Sequence, residues 1–359
     1  MSSALYDVAA DAGNWGAKFV RDNQHVVIRN VAVPYNGSED ELTALGLFGS
    51  DGLETIRREG DVETTSMRIG FGGRLWIVGE AAYRMNVMAR EQTTFARYGT
   101  DEWFALIAAS LTALYKKRSG AVGMTFSMPV SQFRAGMHHK VREMLIGMWE
   151  VDLDDRLLTF EIREDMLDML PEGFGSLCHQ ILSTTGKSFI NRDLAEGRIV
   201  VFDFGGYTLD VTTYDGLNIG AYNDSLTTGL IHVRNTVNRE LKRRYNRTDA
   251  SAAVLDRVIR TKQYQHKGGP PEDVSDIVDA AIVNLIQDAV RVWNEELAGG
   301  EEYTHVIITG GGGPVIGSLL EPQLGFNGPL IIIPEGEAHL ANALGALKYR
   351  KFKRLYSEA

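Results

Sequence analysis

The sequence predicts an α/β protein of two domains, each built around a strand pair with a glycine-containing turn. Apolar runs rich in β-branched and aromatic residues flank Asp and Gly in both residues 5–20 and residues 198–215, and this pattern is typical of hairpins. A third run, residues 303–314, enters four consecutive glycines before a predicted helix. At 359 residues, the chain is also longer than one hydrophobic core usually supports.

Composition favours a soluble protein of the reducing cytosol. Hydrophobic residues make up 44% of the chain, and the formal net charge is −10. This acidity disfavours direct binding to nucleic acid, because phosphate contacts need clusters of Lys and Arg. The single cysteine, Cys178, excludes an internal disulfide. The N-terminus has no signal-peptide pattern, and no apolar run is long enough for a membrane span. We therefore expect a cytoplasmic protein without membrane contact.

Domain I is expected to cover residues 1–198. Its first hairpin carries Asp11 into a glycine turn and places Lys18 in the second strand, seven residues later. The Lys18 ammonium can then reach phosphates that Asp11 helps to frame, and an exposed strand lysine is the competing interpretation. A Gly-rich and acidic stretch at about residues 35–75 is expected to form a small insertion subdomain.

Residues 170–175 are predicted to open a helix of this domain. Pro171 and Glu172 suit a first helical turn, so one interpretation of Glu172 is a partner of the helix dipole. The other interpretation is that Glu172 orients the water that attacks a terminal phosphate. The second interpretation is favoured because this helix leads directly into the strand that carries Asp203.

Domain II is expected to cover residues 199–359. Asp203 enters its central turn at Gly205 and Gly206, and Asp210 leaves it. Uncovered glycine amides flanked by carboxylates suit a phosphate chain with a bound cation, whereas an ordinary hairpin with capping Asp residues is the structural alternative. A helical subdomain is predicted at about residues 230–300. Its basic residues form either a solvated face or part of a nucleotide pocket: Arg239, Lys242, Arg243 and Arg244.

The glycine run at Gly310–Gly313 is longer than a strand-to-helix turn requires, since one glycine suffices for such a turn. Four glycines let a bulky planar group lie against the backbone, and the N-terminus of the following helix favours an anion. A final helix at about residues 338–355 contains small residues at 341–346. It is expected to return towards domain I as a hinge.

These three turns, in this order, resemble the nucleotide-binding fold of actins, heat-shock chaperone ATPases and sugar kinases. Residues 11–18, 203–210 and 310–313 are similar to its two phosphate motifs and its adenosine motif, and residues 127–131 and 341–345 to its two connecting segments. The closest resemblance is to ParM-type plasmid-segregation actins, through residues 128–132, 171–172 and 303–306. The chain departs from the family at Asn14-Trp15, where a small hydroxyl residue is common.

The resemblance implies an actin-like ATPase fold. Two similar domains, ribonuclease H-like and each with a small inserted subdomain, would hold the nucleotide in the cleft between them. It also implies hydrolysis of ATP or GTP coupled to polymerisation. Asp11, Asp203 and Glu172 would be catalytic, and the first two would hold Mg²⁺ through water. The nucleotide would be bound by Asp11, Gly13, Asn14, Trp15, Lys18, Asp203, Gly205, Gly206, Tyr207, Thr208, Asp210, Gly229, Gly310, Gly311, Gly312 and Gly313.

The resemblance further implies a filament that segregates plasmid DNA. Because the chain is acidic, DNA would be attached through a small basic adaptor of the ParR type on a plasmid centromere. The alternatives are a filament with another cargo, such as phage DNA or an organelle, and a monomeric small-molecule kinase of the same fold. Cargo, nucleotide preference, filament handedness and strand number do not follow from the sequence.

Overall fold

The computed structural model describes residues 6–13, 15–37, 42, 54–59, 62–85, 97–115, 118–153 and 156–357. The chain divides into two compact units. The first comprises residues 1–192 together with 340–359, and the second comprises residues 193–339. Each unit has its own β-sheet and hydrophobic core.

The first unit is built on a mixed sheet with eleven strands among the described residues. They are β1 (Tyr6–Ala12), β2 (Gly16–Arg21), β3 (Gln24–Arg29), β4 (Ala32–Pro34), β5 (Glu54–Glu59), β6 (Val62–Phe71), β7 (Arg74–Val78), β8 (Gly120–Met128), β9 (Gly147–Leu153), β10 (Arg156–Ile162) and β11 (Leu167–Pro171). The main path runs β3-β2-β1-β8-β10-β9-β6-β7-β4, with β11 beside β8 and β5 beside β6. The stretch predicted as an insertion thus supplies strands to this same sheet.

The helices up to residue 195 lie between or after these strands. They are α1 (Glu80–Met85), α2 (Asp101–Leu114), α3 (Val130–Arg134), α4 (Met137–Leu145), α5 (Phe174–Ile181) and α6 (Arg192–Ala195). Helix α2 begins where Thr100 Oγ1 accepts a hydrogen bond from the Trp103 N–H, which satisfies one of the free amides of the first turn. The buried ring of Trp103 then packs edge-on against Phe126 of β8, with ring centroids 6.2 Å apart. This contact joins the helix to the middle of the sheet.

The second unit contains a sheet in the order β14-β13-β12-β17-β18. Its strands are β12 (Arg198–Phe204), β13 (Leu209–Asp215), β14 (Asn218–Leu226), β17 (His305–Thr309) and β18 (Leu330–Ile332), and a small separate hairpin is formed by β15 (Gln263–Gln265) and β16 (Pro271–Asp273). The helices of this unit are α7 (Leu230–Tyr245), α8 (Ala252–Thr261), α9 (Ser275–Glu295), α10 (Gly313–Leu324) and α11 (Glu335–Ala338). Trp293 of α9 anchors the core, because its indole N–H donates to Leu324 O at 2.8 Å while its ring packs near Phe202.

The last helix, α12 (Ala341–Ser357), packs in the first unit against α5, β1 and β8. Its buried Arg350 donates from Nε to Asp7 Oδ1 at 2.8 Å and from a terminal nitrogen to Asp168 Oδ2 at 3.2 Å. Arg354 also donates to Asp7, at 2.6 Å. The locally basic end of the chain therefore pairs with acidic residues of its own sheet. None of the described helices combines the length and apolar character needed to cross a membrane.

Candidate functional site

Three parallel strands of the first unit, β1, β8 and β11, end at the same edge of the sheet. Asp11 of β1 pairs with Ser127 of β8, and Leu170 of β11 pairs with Ser127 from the other side. Two residues later, the N–H of Glu172 donates to Met128 O at 2.8 Å, which continues this pairing past the end of β11. Because the carboxyl ends of parallel strands meet at one edge, Asp11, Ser127 and Glu172 are collected there. Ligand sites of α/β sheets commonly lie at this edge.

The predicted first hairpin is confirmed as β1 and β2, with Asp11 directly opposite Lys18. Lys18 Nζ lies 3.0 Å from Asp11 Oδ2, and the two side chains are only 15% and 4% exposed. The alternative of an exposed strand lysine is therefore wrong. The other carboxylate oxygen, Asp11 Oδ1, is buried and forms no hydrogen bond with the described residues. The ion pair thus fixes the orientation of a carboxylate whose other oxygen lacks a hydrogen-bond partner among the described residues.

Gly13 lies in the turn of this hairpin, next to the ion pair. A Cβ added at Gly13 would lie 3.1 Å from Lys18 Nζ and 3.2 Å from Asp11 Oδ1, closer than about nine in ten real Cβ contacts. Asn30 supports the turn, because its side-chain amide donates to Gly13 O at 3.4 Å and its backbone N–H donates to Trp15 O at 3.1 Å. Asn14 lies outside the described residues. A glycine at position 13 therefore avoids crowding the ammonium and the carboxylate.

Glu172 lies just before helix α5 and not in its first turn. Pro171 is the last residue of β11, and the helix begins at Phe174 after Gly173, so the helix predicted to open at residue 170 begins later. The Glu172 side chain is buried, with a relative exposure of 8%. This position outside the helix weakens the interpretation of Glu172 as a helix-dipole partner, since that effect is confined to the first turn.

The N-terminus of α5 is capped by a residue that the sequence analysis did not identify. Asn342 Oδ1 of α12 accepts hydrogen bonds from the Gly173 N–H at 2.9 Å, the Ser176 N–H at 3.2 Å and the Ser176 hydroxyl at 3.0 Å. An N-cap is normally the residue just before the helix, whereas this one is 169 positions from Gly173. Asn342 thereby ties the backbone that follows Glu172 to the last helix.

Replacing Asn342 by Ala is expected to lower the free energy of unfolding by about 1–3 kcal/mol, because three buried donors lose their acceptor. Urea denaturation followed by circular dichroism measures this change. Asn36→Ala is the matched control, since Asn36 is an exposed residue of the same unit and its replacement should change the midpoint little. Equal midpoints for the two variants would contradict the capping role.

A buried Arg-Tyr pair before α2 is also not predicted from the sequence. A terminal nitrogen of Arg97 donates to the Tyr98 hydroxyl at 3.0 Å, and both side chains are buried. Burial raises the pKa of Tyr98, the Arg97 guanidinium opposes this rise, and the carboxylates of Glu172 and Asp11 add to it. Tyr98 therefore lies within electrostatic reach of both site carboxylates and remains a protonated hydroxyl. No sequence pattern marks this pair, since neither residue belongs to a periodic element.

In the second unit, the predicted central hairpin is confirmed as β12 and β13, with Asp203 opposite Asp210. The two carboxylates have different surroundings. Asp210 accepts a hydrogen bond from Thr208 Oγ1 at 2.9 Å and a short one from Ser225 Oγ of β14. Asp210 thus organises the turn, as the structural alternative predicts. Asp203 is buried at the end of β12, where β17 runs beside it.

The glycine run begins directly beside Asp203. Thr309, the last residue of β17, pairs with Asp203, and Gly310 follows with φ +83°. A Cβ at Gly310 would lie 2.3 Å from Asp203 Oδ1 and 2.6 Å from Phe204 O. At Gly311, in contrast, an added Cβ would meet no atom within 4 Å. Packing therefore requires glycine at position 310 and does not require it at position 311.

Helix α7 starts against the same turn. Its first amides, those of Leu230 and Ile231, donate to the carbonyls of Gly205 at 3.2 Å and Gly206 at 2.8 Å. A Cβ at Gly229 would lie 2.5 Å from the carbonyl carbon of Tyr207, so only glycine allows this approach. The Gly205 N–H donates to Thr208 O at 2.9 Å and is committed to the turn itself. Asp203, the turn and residues 229 and 310 thus form one compact group.

The comparisons with known proteins concern the fold of the chain. Residues 9–175 match the N-terminal domain of actin-like proteins. The apo form of the pSK41 ParM protein superposes with a TM-score of 0.70 at 16% identity, over 99% of this chain and 100% of that chain. The chain has the actin-like ATPase fold. The predicted actin-like ATPase fold is therefore confirmed, and the similarity of residues 9–175 to actin-like proteins agrees with it.

Two further solved structures have the same fold as this chain. The archaeal actin homologue Ta0583 in complex with ADP has a TM-score of 0.71 at 17% identity, over 96% of this chain and 98% of that chain. A ParM from Clostridium botulinum, in the structure of a 15-stranded filament, has a TM-score of 0.69 at 19% identity, over 98% of this chain and 99% of that chain. No curated protein sequence matches the chain.

The basic residues of α7 form ion pairs with acidic residues of the second unit. Lys242 pairs with Asp249 at 3.0 Å, and Arg244 pairs with Asp276. Arg239 and Arg243 both pair with Glu240 and are largely exposed. These pairs support the interpretation of a solvated face over that of a nucleotide pocket.

Proposed function

We propose that this chain is an actin-like ATPase that polymerises into nucleotide-dependent filaments. The observation that carries the proposal is the largely buried Asp11–Lys18 pair beside Gly13. A buried charge pair is costly unless further bonds satisfy it, and here one carboxylate oxygen forms no hydrogen bond with the described residues. The hydrated cation of a phosphate chain would supply donors to this oxygen, and the phosphates would pair with the Lys18 ammonium. The ADP bound to Ta0583 and the filament of the Clostridium botulinum ParM support the same conclusion.

The residues fit a nucleotide with a hydrated Mg²⁺. No group of three or more His, Cys, Asp or Glu side chains with metal-binding geometry occurs among the described residues, and Mg²⁺ commonly keeps several waters and few protein ligands. Asp11 and Asp203 would hold the ion through such waters. When bound, the ion neutralises charge on the terminal phosphates.

The side chains and the backbone of the chain have separate roles in nucleotide binding and hydrolysis. Lys18 neutralises charge on the β- and γ-phosphates. The two hairpin turns and the glycine run admit the phosphates and adenosine close to the backbone. Glu172 orients the attacking water and accepts a hydrogen bond from it, as water-positioning residues do in other phosphoryl-transfer enzymes. Trp15, Tyr207, Thr208 and Asp210 complete the proposed binding groups.

Polymerisation and cargo extend the proposal. Identical subunits joined head to tail form an open helical filament when the contact does not close into a ring. We propose that nucleotide binding and hydrolysis change the domain arrangement through the two connecting segments, and so control assembly. The proposed cargo is plasmid DNA, attached through a basic adaptor of the ParR type, because the net charge of −10 disfavours direct contact with DNA. The proposed location is the cytoplasm.

Sedimentation of the purified chain tests this function directly. With Mg²⁺ and ATP or GTP the wild type should pellet at high speed and release phosphate, and without nucleotide it should remain in the supernatant. Lys18→Met should bind nucleotide at least about tenfold more weakly, because the ammonium contributes a charge-assisted hydrogen bond to the phosphates. A wild type that turns over nucleotide but never pellets, even at high concentration, would contradict the filament and favour the small-molecule kinase.

A further inference from the structure

Two neighbouring residues at the ends of β1 and β8, Asp11 and Ser127, each have a buried polar atom without a hydrogen-bond partner among the described residues. Ser127 pairs with Asp11 in the parallel ladder, so the two side chains project from the same face of the sheet with Cβ atoms about 5 Å apart. Ser127 is 1% exposed and Asp11 is 3% exposed. Neither Ser127 Oγ nor Asp11 Oδ1 forms a hydrogen bond with any described residue.

This arrangement is unfavourable in the protein alone, because buried polar groups are almost always hydrogen-bonded. The Asp11 carboxylate cannot turn freely to relieve it, since its other oxygen is held by Lys18 at 3.0 Å. The Ser127 hydroxyl can donate or accept, whereas Asp11 Oδ1 accepts only. A water bound to a cation suits both, because its oxygen faces the cation and its two hydrogens can be donated to the carboxylate and to the Ser127 hydroxyl oxygen.

We infer that Ser127 Oγ and Asp11 Oδ1 together hold one water of the hydrated cation that accompanies the nucleotide, an inference that rests on the proposed function. Ser127 is then a positioning residue for the cation. Asp11 alone would hold this water by one hydrogen bond, and Ser127 adds a second hydrogen bond that fixes the position of the water. An ion that dehydrates reluctantly, as Mg²⁺ does, is bound through such fixed waters.

The test compares Ser127→Ala with a matched control on the same strand. Thr125 lies two residues earlier on the same face of β8 and is fully buried. Its hydroxyl also forms no hydrogen bond with the described residues. Thr125 pairs with Ala9, however, and not with Asp11. Calorimetric titration with the ATP analogue AMPPNP, in excess Mg²⁺ and in EDTA, reports affinity without hydrolysis. Ser127→Ala should weaken binding about five- to tenfold in Mg²⁺, the effect of one hydrogen bond, and leave it unchanged in EDTA. Thr125→Val should bind as the wild type does, and Ser127→Thr should retain most of the affinity.

Thermal unfolding without nucleotide or cation separates this role from a structural one. The Ser127 hydroxyl bonds nothing in the described structure, so Ser127→Ala should melt at or above the wild-type temperature. A lower melting temperature, or equal losses of affinity in Mg²⁺ and in EDTA, would overturn the inference in favour of a structural water. Unchanged affinity of Ser127→Ala in Mg²⁺ would overturn it as well, with the proposed function intact. If the wild type binds AMPPNP under neither condition, the proposed function itself fails, and the inference fails with it.

Discussion

Glu172→Gln is expected to slow nucleotide hydrolysis by at least about 100-fold, the usual contribution of a positioned acid–base group, while binding and sedimentation persist. The amide keeps the size of the buried side chain but cannot serve as a base, and it positions water poorly. Glu172 follows β11 at the edge that also collects Asp11 and Ser127, outside the helix where a dipole role would apply. Phosphate release measured beside sedimentation therefore separates chemistry from assembly.

The matched control for this prediction is Glu143→Gln, which removes the same charge from an exposed position on α4 of the same unit. It should hydrolyse nucleotide at the wild-type rate. If Glu172→Gln released phosphate as fast as this control, Glu172 would have no part in the chemistry. If Glu172→Gln instead failed to bind nucleotide, Glu172 would contribute to nucleotide binding and not to the chemical step. The expected slow hydrolysis by assembled filaments would then not be observed.

The sequence predicts the two hairpins because residues close together in the chain determine each of them. Alternating apolar residues and a glycine turn determine which residues face each other, so the pairing of Asp11 with Lys18 and of Asp203 with Asp210 follows from short-range spacing. Parallel pairing is less local, yet the strand before the glycine run is recognisable as a buried apolar segment. The strands and turns of the candidate site can thus largely be predicted from the sequence.

Side-chain contacts between segments far apart in the sequence cannot be predicted from such local patterns. Asn342 caps α5 across 169 positions, and Arg350 pairs with Asp7 across 343. The sequence predicts the start of α5 about one turn too early, because Pro171 and Glu172 imitate the chemistry of a first turn. No local pattern marks the pairing of Arg350 with Asp7, which joins the last helix to the first strand. Ser225 gives no sequence signal either, since its bond to Asp210 arises only when β14 lies beside β13.

Gly310→Ala is expected to lower the free energy of unfolding by about 2–4 kcal/mol, the sum of a left-handed backbone conformation and an overpacked site. Gly310 has φ +83°, and a Cβ there would lie 2.3 Å from Asp203 Oδ1. Since the displaced atom belongs to a proposed cation-holding carboxylate, nucleotide affinity should fall together with stability. Urea denaturation and AMPPNP titration measure the two effects.

Gly311→Ala is the paired variant that separates folding from ligand binding. An added methyl at Gly311 meets no atom within 4 Å, and the backbone there is not left-handed. Its stability should therefore stay within about 0.5 kcal/mol of the wild type, as for an ordinary surface substitution. Affinity for AMPPNP should nevertheless fall, because the proposed adenosine contact needs an uncovered backbone. A Gly311→Ala variant that binds as tightly as the wild type would remove Gly311 from the site, whereas a Gly310→Ala variant of wild-type stability would contradict the packing at Asp203.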